Sequence, residues 1–193
     1  MVNAAELGIG EMLGWLKGMA VYGKTHLEIA KGLTAAQAET ARVAPMFFEL
    51  TLEAHLQAAQ MYLAKLYDKQ RKATVEGLVK RAGRSEAAFR SAKPERVREI
   101  VQIVGSLIDK LKPKLKAVEI RRNEYLAHLD PGTIRDLDSM NSRAALTISD
   151  LDCAFMETTN ILNQFSQALD GTLLIPMLPG SDDYKNVLKP AGN

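Results

Sequence analysis

Apolar side chains recur at three- and four-residue spacing along almost the whole chain, and nowhere do they alternate with polar ones as a half-buried strand requires. Val97, Ile100, Val101, Val104, Leu107, Ile108 and Leu111 make one continuous helical face. Phe48, Leu52, His55, Ala59, Tyr62 and Leu66 make another. A helix with such a stripe must be covered by other helices. The 193 residues suit a single domain, 1–193, with its core at about 10–170 and a short C-terminal tail at 171–193. The pattern therefore predicts an all-α, up-and-down helical bundle of four to five main helices plus short helices.

Local signals set the expected boundaries. The first helix is expected over Ala4 to Lys31, with Gly10, Gly14 and Gly18 forming a row of missing side chains. Glycine costs about 1 kcal/mol against alanine inside a helix, so the row implies another backbone packed closely on it. "GIGEMLG" follows no strand and lacks the spacing of a nucleotide-binding loop, so that reading is rejected. "TAAQ" reads as a capping box opening the second helix, with Thr34 as N-cap and Gln37 three residues on. Pro45 should kink or restart this helix, and the stretch 69–93 should hold one or two short helices. Pro94 suits the first turn of a longer helix that Pro113 kinks or ends, and "DPGT" at 130–133 is a stop signal. A last long helix should begin near Ser149 and Asp150 and end before Gly171, with one short helix near Ser181 in the tail.

Several classes of function are excluded early. The N-terminus has no basic region ahead of its apolar residues, so it does not read as a signal peptide. "TLLIPMLPG" is the longest nearly apolar run and falls far short of the roughly 20 residues a membrane span needs. A soluble cytoplasmic protein with no membrane contact is expected. Cys153 stands alone and has acidic or apolar neighbours, which suits packing rather than nucleophilic chemistry. Three histidines and one cysteine, widely spaced, supply no recognisable zinc site, and neither metal nor cofactor is called for. No phosphate loop, nucleophile elbow or Ser-His-Asp pattern is present. His55 lies on an apolar stripe and reads as a hydrogen-bonded core histidine, whereas His26 has no recognisable partner.

The net charge of +2 conceals an asymmetry. Between Lys65 and Arg122 there are 17 Lys and Arg against 7 Asp and Glu, while the rest of the chain holds 8 against 16. A basic middle of this kind can attract a polyanion, or can be a solvated helical face.

At the end of that basic middle begins the stretch "RRNEYLAHLD", residues 121–130. Arg122, Tyr125 and His128 follow a slanting i, i+3 row on one helix, while Arg121 and His128 lie roughly 10 Å apart along the axis. Side chains lean toward the helix N-terminus, so the arginines point away from His128 and leave a gap the size of a phosphate. Two such helices about a two-fold axis would bring the histidine of one chain beside the arginine of another. These residue types suit metal-free RNA cleavage. His128 can move a proton at a ribose 2′-hydroxyl or a departing 5′-oxygen near neutral pH. Arg122 can stabilise charge on the phosphate, Asn123 can orient the imidazole or bond the phosphate, and Arg121 and Tyr125 can hold substrate. The products would carry 2′,3′-cyclic phosphates. The same residues also fit an ordinary basic helix terminus favoured by the macrodipole. An arginine followed by a histidine at this spacing is common, with about half a match expected by chance in such a composition.

The longer string resembles the signature of the HEPN (higher eukaryotes and prokaryotes nucleotide-binding) superfamily, in which an arginine and a polar residue precede a histidine near a helix end. Arg122, Asn123 and His128 match with five intervening residues, and Arg121 also fits with six. "AHLD", together with the upstream "MYLAKLYDKQ" at 61–70, is most similar to the abortive-infection AbiU-like branch. The resemblance implies a helical bundle that dimerises through the motif helix. It also implies metal-independent RNA cleavage at a shared site, in phage defence or as the toxin of a toxin–antitoxin pair with a protein antitoxin as partner. The alternative it allows is a non-catalytic HEPN module binding RNA, a nucleotide or a partner protein. Leu129 and Asp130 follow the histidine where some branches place a spaced tyrosine, which argues against the subgroup paired with nucleotidyltransferase antitoxins. Lysines such as Lys114 and Lys116 are candidates to track an RNA backbone.

Overall fold

A computed structural model of the chain describes residues 7–123 and 142–174, with 178, 183, 185 and 186. In order, the helices are α1 (Ile9–Ala35), α2 (Gln37–Val43), α3 (Pro45–Leu66), α4 (Val75–Ala82), α5 (Pro94–Arg121) and α6 (Ile148–Asp170). A single 3-10 turn, Glu86–Ala88, lies between α4 and α5. The all-α expectation holds among the described residues.

The helix ends follow local chemistry. Pro45 and Pro94 sit in the first turns of α3 and α5, where a missing N–H costs nothing. Thr74 caps α4 by accepting from the Gly77 N–H at 3.1 Å. Thr147 and Asp150 cap α6 reciprocally: the Asp150 N–H donates to Thr147 Oγ1 at 3.0 Å, and the Thr147 N–H donates to Asp150 Oδ2 at 3.1 Å. These bonds from the Thr147 side chain and backbone, with Lys114 beside them, hold the Asp150 carboxyl down at about 2. Gly171 ends α6 in the left-handed region, φ 79°.

Two boundaries differ from expectation. Thr34 does not cap a second helix: α1 continues through Ala35, and the Thr34 hydroxyl donates back to the Ala30 carbonyl at 2.9 Å. The local polar signal loses there because Leu33 still packs into the core and carries the helix past it. Pro113 does not end α5, which continues to Arg121 because Leu111, Ala117 and Val118 are buried on both sides of it. The last long helix begins at Ile148, beside the expected Ser149 and Asp150, with Thr147 as its cap. The expected stop at 130–133 lies outside the described residues, as does most of the tail.

Contacts fix the helix directions. His26 meets His55 while Tyr22 stacks on Tyr62, so α1 and α3 run antiparallel. Gly10 lies against Leu169 and Gly23 against Phe155, so α1 and α6 are antiparallel as well. One hydrophobic core joins α1, α3, α4, α5 and α6 around Leu13, Leu16, Leu63, Phe155 and Phe165. Each such side chain contributes roughly 1.5–3 kcal/mol on full burial.

Within the described chain no other backbone packs on the glycine row. A Cβ at Gly14 or Gly18 would meet nothing within 4 Å, so no other part of the described chain packs there. Close approach happens instead at Gly23, where a Cβ would lie 2.5 Å from Phe155 and 2.8 Å from Tyr62 Cβ. That bare Cα lets α1, α3 and α6 meet. Among the described residues, no helix is long and apolar enough to cross a membrane.

Candidate functional site

The last turns of α5 face the end of α3. Two anchors hold this junction. Tyr67, the first residue past α3, is buried, and its hydroxyl lies 2.9 Å from Thr158 Oγ1 on α6. Thr158 already donates to the Ala154 carbonyl at 2.7 Å, so Tyr67 is the donor of the pair. Burial pushes the Tyr67 phenol well above its usual range, despite that bond, so it stays a neutral donor.

Asp68, next along, turns its carboxylate toward α5. Its Oδ1 accepts from the Gln70 N–H at 3.0 Å, and its Oδ2 lies 3.4 Å from Arg71 Nε. The same Oδ2 lies 3.1 Å from Arg122 Nη1. Arg122 keeps helical backbone angles (φ −58°, ψ −48°) beyond α5 and donates through Nε to Asn123 Oδ1 at 2.9 Å. The side chains of Arg122 and Asp68 are only 20% and 13% exposed, so this pair is sheltered from full solvent screening. Two groups thus fix the plane of one guanidinium.

Arg122 and Asn123 line a groove of ≈ 570 Å³ between α3 and α5. Its apolar floor includes Leu63, Leu115 and Val118, and its rim carries Lys69, Lys112 and Lys116 beside Asp68, Glu76 and Glu119. A cleft of this size with a few convergent polar groups suits a ligand on the scale of a nucleotide.

Of the expected site residues, Arg122 and Asn123 come together at this groove. Arg121 goes elsewhere: its Nε donates to the Ala144 carbonyl at 2.8 Å, tying the end of α5 to the segment leading into α6. His128 and Tyr125 lie outside the described residues. Lys116 lines the groove, but also pairs with Glu119 at 3.1 Å. Lys114 points to α6, where it pairs with Asp150 at 3.1 Å, and it does not line the groove.

Asp68 was not among the residues singled out for chemistry. Asp68 lies in "MYLAKLYDKQ", the stretch that carries part of the family resemblance, but nothing in that string indicates a contact with Arg122. His55 is a hydrogen-bonded histidine as expected, and its partner is His26: their Nδ1 atoms lie 2.7 Å apart. Burial lowers both imidazoles below their usual value, and the charge of His26 lowers His55 further.

A family model for HEPN proteins described as AbiU2 matches residues 21–192. No curated protein and no solved structure matches the chain.

Proposed function

The chain belongs to the AbiU2 family of HEPN proteins, and from that membership we propose that it is a metal-independent endoribonuclease acting as a homodimer. Its biological setting would be abortive infection against phage, or the toxin half of a toxin–antitoxin pair with a protein antitoxin. The observation that carries the reading is Arg122. It stands at the lip of a nucleotide-sized groove, its Nη1 held by Asp68 and its Nε by Asn123, six residues ahead of the one histidine in the motif.

In this mechanism His128 takes the proton from a ribose 2′-hydroxyl, and the 2′-oxygen attacks the adjacent phosphorus. The bond from phosphorus to the 5′-oxygen breaks, and that oxygen leaves as a hydroxyl with a proton taken from water, to which His128 returns the one it accepted. The fragments end in a 2′,3′-cyclic phosphate and a 5′-hydroxyl. Arg122 Nη2, which neither Asp68 nor Asn123 engages, donates to a non-bridging phosphate oxygen as charge gathers there. Asn123 and Asp68 keep that fork in place, so little reorganisation is needed at the moment of reaction. Arg121 steadies the end of α5, and Tyr125 contacts substrate.

The test is incubation of purified protein with mixed RNA in excess EDTA, followed by analysis of fragment ends. Fragments with cyclic phosphate ends support the reading. RNA bound but intact overturns it in favour of a non-catalytic HEPN binding module.

A further inference from the structure

A second groove, of ≈ 550 Å³, opens beside the first. The two share Lys69 and Glu76 in their walls, so they are contiguous. The second is walled by α4 on one side and the loop 69–74 on the other. Lys69, Lys72, Lys80 and Arg84 all line it, and none of the four has an ion-pair partner among the described residues. Glu76 is the one acid in its walls. Some cations elsewhere are paired along their own helices, as Arg96 is with Glu99 and Lys112 with Asp109.

The groove is held in shape by a backbone contact. A Cβ at Gly77 would lie 2.2 Å from the Lys72 carbonyl oxygen, so only a bare Cα lets the loop seat on α4. Thr74 closes the same turn through the Gly77 N–H. Lys72 is thereby fixed opposite the cations of α4, and does not depend on a flexible loop for its position.

We propose that this groove is a track for single-stranded RNA leading away from Arg122, an inference that rests on the nuclease reading above. Uncompensated cations on two facing walls meet a phosphate backbone threaded between them. Readers of duplex RNA span roughly 16 base pairs across a broad face. By contrast, α4 has eight residues and is about 12 Å long, enough for only a few phosphates.

The experiment uses full-length protein carrying His128→Ala, so that RNA is not consumed, and fluorescence anisotropy of a labelled single-stranded RNA. Four cations at phosphates give a log–log salt slope of about −3, or a loss of affinity on the order of 50-fold between 50 and 200 mM salt. The triple variant Lys72→Gln, Lys80→Gln, Arg84→Gln should cut the slope to about −1, with its circular dichroism melt checked against the parent. An unchanged slope in a folded triple variant overturns the track, as does equal affinity for a duplex of the same length. The nuclease reading fails separately: RNA left intact by wild-type protein, with the slope still reduced in the triple variant, removes cleavage and keeps the track. Cleavage by wild type with an unchanged slope does the reverse.

Discussion

Arg122 Nη1 lies 3.1 Å from Asp68 Oδ2, joining the end of α5 to the turn after α3 across more than fifty residues of sequence. The pair couples stability to the proposed chemistry, because one contact both closes the helix junction and aims a guanidinium into the groove. On the proposed mechanism Asp68 is a positioning residue and Arg122 the group that would meet phosphate.

Asp68→Asn tests the coupling. Asparagine keeps an acceptor for the Gln70 N–H but removes the charge that faces Arg122. The expected loss in urea unfolding is about 1–3 kcal/mol, since a mostly buried guanidinium loses its charged partner. In a double-mutant cycle with Arg122→Gln the two losses should be clearly less than additive. Additive losses would show that the contact contributes nothing as a pair.

The glycines divide by the space around them. Gly23→Ala and Gly77→Ala each force a Cβ into neighbouring atoms, and each should cost about 1–3 kcal/mol. Gly14→Ala and Gly18→Ala meet open space and should each stabilise by up to about 1 kcal/mol. The sedimentation profile of the last two should match wild type. A destabilised or dissociated Gly14→Ala would instead place the partner chain on the glycine row.

The His26–His55 pair gives a pH dependence with a defined sign. Both imidazoles are held below their usual value in the folded state, chiefly by burial. The unfolded chain therefore binds protons first as pH falls. The stability contributed by the pair is fully present above the unfolded value near 6.5 and is lost as pH falls through the lowered folded values. The melting temperature should drop between pH 7.5 and pH 5, a window above the carboxylates. The variant His26→Phe/His55→Phe should show a shallower drop, and an equal one would contradict the assignment.

The bundle was legible in the sequence because periodic apolar faces, such as Val97 to Leu111, need only local spacing to be read. Pro94 and Gly171 marked ends through backbone chemistry that does not depend on neighbours. At Thr34 the packing of Leu33 outweighs a local cap, and α5 runs on through Pro113 without a new helix starting there, with Ala117 and Val118 buried beyond it. At the site, Arg122 and Asn123 were found by motif spacing. Asp68 could not be, since a contact between residues 68 and 122 follows from the docking of two helices and leaves no periodic trace. His26 was opaque for the same reason, its partner being on another helix.

The most direct measurement is RNA cleavage in excess EDTA by Arg122→Ala, by His128→Ala, and by the two variants unfolded and refolded together. The account predicts that each variant alone is inactive, with His128→Ala melting like wild type. The mixture should regain about a quarter of wild-type activity, because half of its dimers are mixed and each holds one intact shared site. Cleavage by either variant alone, or a mixture as inactive as its parts beside an active wild type, would contradict a site built from Arg122 of one chain and His128 of another.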